Sequence, residues 1–365
     1  MALKLLDFIK AHEDWEALLT RDPYNLKISR DNGYIMFKYN QLCSDFNLPV
    51  VQEARGIIFK EDDWTCVCHP FNKFGNYGES YCPEINWDNC SVQEKVDGYL
   101  MKVWYNKGWN ISTNGLIDAF KAPLDCADAE LDSYGKLFLY CLNCMGINEH
   151  DFFGELDTNY CYMFEMVSPY NRVVIEYKEP KLYYLGCRYL VTDQEYSPEE
   201  RPLMIAPSKR YNLHTLEDVK NAANALPWDE EGYVVCDNKF NRVKIKSPEY
   251  VLAHKGRTNG NISTSRLLEI ILSNEVDEFL IYAAEYTEKI NSLIAAMEIF
   301  KTQVKLEIFN ISPDLYTSRK EYAETVKKYP SYMQYFLFRY EKVDEELKKI
   351  NISGWKKILS ERGVI

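Results

Sequence analysis

The feature that most constrains this 365-residue chain is a change of hydrophobic period near Tyr250. Upstream, apolar residues come in short runs separated by turn-forming residues, the pattern of strands and hairpins. Tyr99–Tyr105 and Trp109–Thr113 flank Asn106-Lys107-Gly108, and 231–235 and 242–246 flank Asp237-Asn238-Lys239. Downstream, Val276, Phe279, Ala283, Tyr286, Ile290, Leu293, Met297, Phe300 and Val304 recur at spacings of three and four. That is one stripe of a long amphipathic helix, ordinarily a bundle core and less often a dimerising coiled coil. Pro313 breaks the run, Ser318 with Glu321 has the spacing of a capping box, and 332–350 reads as a further helix. The expected class is α+β: an antiparallel-sheet domain over 1–252, then an all-α domain over 253–365.

Within the first part, residues 1–30 read as a helix and a connection, 35–39 as a strand, and 54–59 with 65–69 as a hairpin. The segment 116–148 reads as helical. Tyr160–Val167 reads as a strand carrying Glu165 between Phe164 and Met166, and 173–175 and 181–191 read as further strands. No internal repeat or low-complexity tract is visible.

A net charge of -12 argues against broad non-specific nucleic-acid binding, because phosphate affinity needs a cationic surface. Any basic site is therefore local. The first residues are too short and charged for a signal peptide, and no apolar run approaches a membrane span. The expectation is a cytoplasmic monomer, in the cytoplasm of an infected host if the chain is viral. The 11 cysteines are an odd number at irregular spacing, which suits reduced thiols. Cys66-x-Cys68-His69 and Cys141-x-x-Cys144 are a minor candidate for zinc.

The chemistry centres on Glu94-Lys95-Val96-Asp97-Gly98. Lysine has a reference pKa about 3 units above neutrality, and becomes a nucleophile where fixed cations depress it. Gly98 permits a tight turn and Asp97 offers an oxygen ligand. Lys244 and Lys246, two apart on a strand, share a face and repel unless an anion lies between them; a solvated edge-strand guard is the competing reading. Glu165 and Glu231 supply carboxylates, and Arg55 and Lys73 further cations.

The ordered set Arg55-Gly56, Lys73, Lys95-x-Asp97-Gly98, Phe164-Glu165, Glu231-Gly232 and Lys244-x-Lys246 resembles the ligase and capping-enzyme superfamily. With Phe37-Lys38-Tyr39-Asn40, 165–172 and Tyr250, it resembles most closely the phage-type RNA ligase 1 family. The resemblance implies an ATP-dependent enzyme joining RNA 5′-phosphate and 3′-hydroxyl ends. Lys95 would attack the α-phosphorus of ATP to form lysyl-AMP. AMP would then pass to the RNA 5′-phosphate, and a 3′-hydroxyl would displace it. Lys244 and Lys246 would touch the α-phosphate, Arg55 and Lys73 the other phosphates, Tyr39 the nucleotide, and Glu94 the adenine amino group. Glu165 and Glu231 would orient the ribose or hold waters of Mg²⁺ (or Mn²⁺), with Asp97 as a ligand or support. Arg172 and Tyr250 belong to matched motifs. Asn114 stands where the family often has a cation, and Asp277 is placed as a metal-contacting acid of that family, against the plainer reading of an exposed helix carboxylate. A nicked tRNA, recognised by the helical domain, is the implied partner. DNA ligases, capping guanylyltransferases and an inactive RNA-binding relative remain alternatives; the helical rather than strand-rich C-terminal part argues against the first two.

Overall fold

The computed structural model of this chain describes residues 3–41, 43–124, 130–171, 173–254, 262–272, 276, 279–280 and 284–365. They divide into two compact units, 1–254 and 255–365.

The first unit begins with α1 (Lys4–Ala11) and α2 (Trp15–Leu19), followed by an antiparallel sheet in chain order: β1 (Lys27–Asp31), β2 (Tyr34–Lys38), β3 (Arg55–Lys60) and β4 (Cys66–Cys68), with α3 (Pro49–Glu53) between β2 and β3. Strand β1 falls inside the segment expected to be helix and connection. It forms because Asn32 and Gly33 both take positive φ, the backbone of a tight hairpin turn into β2.

Next come β5 (Cys90–Glu94), β6 (Tyr99–Tyr105), β7 (Trp109–Thr113), α4 (Tyr134–Cys144), α5 (Glu149–Glu155), β8 (Tyr160–Val167), β9 (Lys181–Tyr189), β10 (Gln194–Tyr196), β11 (Arg210–Tyr211), α6 (Leu216–Asn224), β12 (Gly232–Asp237), β13 (Arg242–Lys246) and α7 (Pro248–His254). They build two antiparallel sheets, ordered β10-β9-β8-β6-β7 and β11-β5-β12-β13. Period-two alternation sorts each strand's side chains between a core face and an open face. On β12 and β13, Tyr233, Val235, Val243 and Ile245 pack against Val219 and Ala223 of α6. On β6 and β8, Met101, Val103, Phe164 and Met166 pack against Leu137, Phe138 and Cys141 of α4.

Two expectations are corrected here. The helix expected over 116–148 shrinks to α4 followed by a turn. Ahead of it the chain makes a single 3-10 turn at Ala119–Lys121 and returns through a bridge between Pro123 and Ser133; proline's missing N–H and fixed φ suit that loop rather than a helix interior. The strand expected at 173–175 is absent as well. The amides of Val174 and Ile175 donate to the Asp97 carboxylate instead of to a ladder.

The second unit is helical: α8 (Thr264–Leu272), α9 (Thr287–Asn310), α10 (Arg319–Val326), α11 (Ser331–Leu337), α12 (Val343–Lys348) and α13 (Ile352–Glu361). Helix α9 buries Ile290, Leu293, Met297, Phe300 and Val304, with Phe300 edge-on to Phe336 and Trp355. A 3-10 turn at Ala284–Tyr286 precedes it, and Ala283 lies outside the described residues. Half of the capping box forms: Ser318 caps Glu321 N, whereas the Glu321 carboxylate accepts from Thr317. The helix expected over 332–350 is broken by a 3-10 turn at Tyr340–Lys342. Asp344, Glu345 and Glu346 crowd the first turn of α12, where acidic side chains favour a new helix start. Among the described residues no helix is long and apolar enough to cross a membrane.

Candidate active site

The ladder of the β5-β12-β13 sheet brings three charged residues together. Strand β12 is central, so its first residues face β5 on one side and β13 on the other. Lys95 N donates to Gly232 O, and Gly232 is paired with Lys246. Glu231, just ahead of β12, therefore lies between two lysines: Lys95 Nζ is 2.7 Å from its Oε2 and Lys246 Nζ 3.3 Å from its Oε1. Glu231 is buried, and a buried carboxylate is tolerated when paired in this way.

Arg242, Lys244 and Lys246 point to one face of β13, the face opposite the apolar core. Loop residues 75–77 pair along β13 through Lys244 N to Gly75 O and Tyr77 N to Lys244 O. That pairing sets the Phe74 ring beside two cations, 5.1 Å from the Arg55 guanidinium carbon and 5.2 Å from Lys244 Nζ.

Arg55, Phe74, Lys95, Arg242 and Lys244 border a cleft of about 630 Å³, whereas Glu231 and Lys246 stand behind Lys95 and off its lining. Its lining crosses the larger sheet from Leu185 on β9, through Glu165 on β8 and Leu100 on β6, to Thr113 and Asn114 at the end of β7. Lys38, Arg55, Lys95, Arg242 and Lys244 line it, a local group of cations in a chain of net charge -12. Glu165 is half-buried on the floor; burial pushes its carboxyl up to about 7, against the pull of Lys95, with Glu231 raising it further. Arg55 Nε and Nη1 are buried without a hydrogen-bond partner, as is Asn114 Oδ1. Orphaned guanidinium donors on a cleft wall suit an anionic oxygen, and the amide oxygen suits a hydroxyl.

Glu94 lines the same cleft, its carboxyl raised first by burial and then by Glu230. Asp97 is a brace: Oδ2 accepts from Val174 N (2.9 Å) and Ile175 N (2.8 Å), and Oδ1 from the Tyr250 hydroxyl (2.9 Å). These three bonds tie the lysine loop to the 173–175 segment and to α7, with Tyr177 Oη capping Asp97 N at 3.2 Å. Gly98 is required by packing, since a Cβ there would stand 2.6 Å from Met166 O.

Tyr39 differs from expectation. It is buried in the α1–β3 core beneath the Lys73 ammonium and does not line the cleft; its neighbour Lys38 does. Adjacent residues at a strand end face opposite ways, and here Lys38 takes the cleft side and Tyr39 the core side. Lys73 borders a second cleft, which shares Phe74 and Arg242 with the first. Arg172 and Asp277 lie outside the described residues. Sequence reasoning missed Lys38, whose cationic character and strand position were legible, and Arg242, which alternates with Lys244. It also missed Lys102, a fully buried lysine whose Nζ bonds Gly56 O at 2.5 Å and which burial pushes down. Cys68 packs beside Cys161, while Cys141 lies in the separate α4 core. Among the described residues no cluster of three or more His, Cys, Asp or Glu stands ready to hold a metal.

The sequence model of a family described as RNA ligase matches residues 53–250. A protein of Autographa californica nuclear polyhedrosis virus, named as a bifunctional polynucleotide kinase/RNA ligase, is 27% identical over 366 residues, covering 94% of this chain. This chain spans only 51% of that relative. An RNA ligase of Rhodothermus phage RM378 is 26% identical, over 90% of this chain and 88% of its own. Among solved structures, an archaeal ATP-dependent RNA ligase aligns over 80% of this chain and 78% of its own with a TM-score of 0.45 and 15% identity.

Proposed function

This chain belongs to the RNA ligase family, and we propose that it uses ATP to join RNA 5′-phosphate and 3′-hydroxyl ends through a lysyl-AMP on Lys95. The observation that carries this reading is the pairing of Lys95 and Lys246 with Glu231 at the edge of a cation-lined cleft.

Lys95 Nζ attacks the α-phosphorus, a P–N bond forms as the bond to pyrophosphate breaks, and the amine proton is released. Lys244 and Lys246 face the same side of β13 and neutralise charge growing on the α-phosphate. Arg55, with its unpartnered donors, holds phosphate oxygens, and Lys38 joins it. Glu94 takes the adenine amino group. The RNA 5′-phosphate then attacks the same phosphorus, displacing Lys95. Finally the 3′-hydroxyl attacks the RNA phosphate, AMP leaves, and a phosphodiester remains.

Glu165 and Glu231 fit a hard cation that keeps its waters, because carboxylates suit such waters and phosphates complete the shell. A bound Mg²⁺ or Mn²⁺ would supply positive charge to the phosphates. The helical unit is proposed to choose the RNA, with a tRNA cleaved in its anticodon loop as the substrate.

Intact mass after incubation with ATP and Mg²⁺ tests the reading. Addition of one AMP is expected, and none in Lys95→Ala. Equal labelling of that variant would overturn the assignment.

A further inference from the structure

The two ends of the cleft differ in chemistry. At the β9 end the lining is Gln93, Glu94, Leu185, Ser208 and Val234, a polar recess containing a carboxylate. At the β7 end it is Tyr99, Leu116, Pro123 and Tyr134, an apolar wall with two rings. Lys95, Glu165, Arg55 and Lys38 lie on the lining of the same cavity. Leu185 on β9 and Leu116 just beyond β7 are three strand spacings apart, roughly 14 Å, so a base held beside Leu185 leaves the Leu116 end open.

We propose that the β7 end is a stacking subsite for the terminal nucleobase of the 5′-phosphate strand. The inference rests on the ligase reading, which gives the β9 end to adenine. In the adenylylated strand the terminal nucleotide is joined to AMP through a 5′–5′ pyrophosphate. Its base therefore lies across the phosphates from adenine, and the aromatic wall shares one cavity lining with Glu94 and with the cations Lys38, Arg55 and Lys95.

The wall is preformed. The Tyr99 and Tyr134 rings meet with centroids 5.0 Å apart and planes inclined at 49°. Tyr134 N donates to Ala122 O, and Leu124 N to Asp132 O, pinning the loop ends beside Pro123. Thr113 and Leu116 exchange bonds across the turn: Leu116 N to Thr113 Oγ1, and Thr113 N to Leu116 O. Tyr99 is 37% and Leu116 39% exposed, and Phe120 nearby is 47% exposed. An apolar rim left open beside a phosphate site matches an occupant with an anionic group and a flat aromatic face. Such a platform accepts any base, because every base has a π-face.

The test compares donor strands that carry or lack the 5′-terminal base, joined to one acceptor under single-turnover, sub-saturating conditions. A parallel arm removes the acceptor's 3′-terminal base instead. The full-length protein is used as wild type, Tyr134→Phe, and Tyr99→Leu/Tyr134→Leu. Wild type should prefer the intact donor by about tenfold to a hundredfold, the range of one base stacked on an aromatic ring. The preference should survive in Tyr134→Phe and fall towards unity in the double variant, while the acceptor ratio stays constant. Each ratio is internal to one protein, so a general loss of activity cancels. An unchanged donor ratio in the double variant, or a loss confined to the acceptor arm, overturns the subsite. If wild type forms no lysyl-AMP the ligase reading fails instead. Equilibrium binding of 5′-phosphorylated dinucleotides, with and without the terminal base, then reads the subsite directly: equal affinity for the two overturns it.

Discussion

At the scale of single residues, the site is a set of charges arranged to be incomplete without a ligand. Glu231 is shared between Lys95 and Lys246, whereas two donors of Arg55 are buried with no hydrogen-bond partner. Removing one oriented cation typically costs a hundredfold or more in rate, about 3 kcal/mol. Lys244→Ala and Lys246→Ala should each slow lysyl-AMP formation by that order, measured as single-turnover labelling from ATP; wild-type rates would remove them from the site. Glu165 adds a pH signature. Its carboxyl sits at about 7 in the folded chain, above the ordinary 4.5. The folded state thus holds that proton more tightly than the unfolded state. Stability from this group is full below pH 4.5 and declines as pH rises to about 7. Glu165→Gln should therefore raise the stability of the ligand-free protein at pH 8, by about 2 kcal/mol after discounting for partial exposure, and change it little at pH 4. Denaturant midpoints at the two pH values check this, and equal shifts at both would contradict it.

At the scale of elements, the β12–β13 hairpin sets the geometry. Gly232 has φ +139, and a Cβ there would lie 2.7 Å from Lys246 Cα and against Ile245 O. Gly232→Ala would push β13 away from β12 at the pair that aligns Lys246 with Glu231. Adenylylation should fall at least a hundredfold while far-ultraviolet circular dichroism stays near wild type. A variant with normal labelling would show that hairpin register does not control the site. The Asp97 brace acts likewise: its three bonds join the lysine loop, the 173–175 segment and α7, fixing the loop without using Lys95 itself.

At the scale of the whole molecule, the chain is two units, each with its own core. The sheet unit contains every described residue assigned to ATP, and the helical unit is closed around Phe300, Phe336 and Trp355. A chain ending just after His254 should still form lysyl-AMP and join simple strands, while losing any preference for nicked tRNA. The ratio of joining rates for nicked tRNA and an unstructured oligonucleotide, full-length against truncated, checks this. The same ratio in both folded proteins would take substrate choice away from the helical unit.

The sequence by itself determined the α+β class, because period two before Tyr250 and spacings of three and four after it each stabilise one kind of element. It also marked Lys95, Glu165, Glu231, Lys244 and Lys246 through motif order, and the Asn106-Lys107-Gly108 turn by its local chemistry. Tertiary structure decided what depends on partners remote in sequence. Asp97 became a brace because the amides of Val174 and Ile175 met its carboxylate, which also kept 173–175 out of a sheet. Lys38 rather than Tyr39 faces the cleft because strand pairing with β3 chose which side of β2 is open. The helical reading of 116–148 failed because Pro123 cannot sit in a helix interior and instead bridges Ser133, ten residues on. A local pattern states which faces are apolar; only the fold states which face has a neighbour and which is left for a ligand.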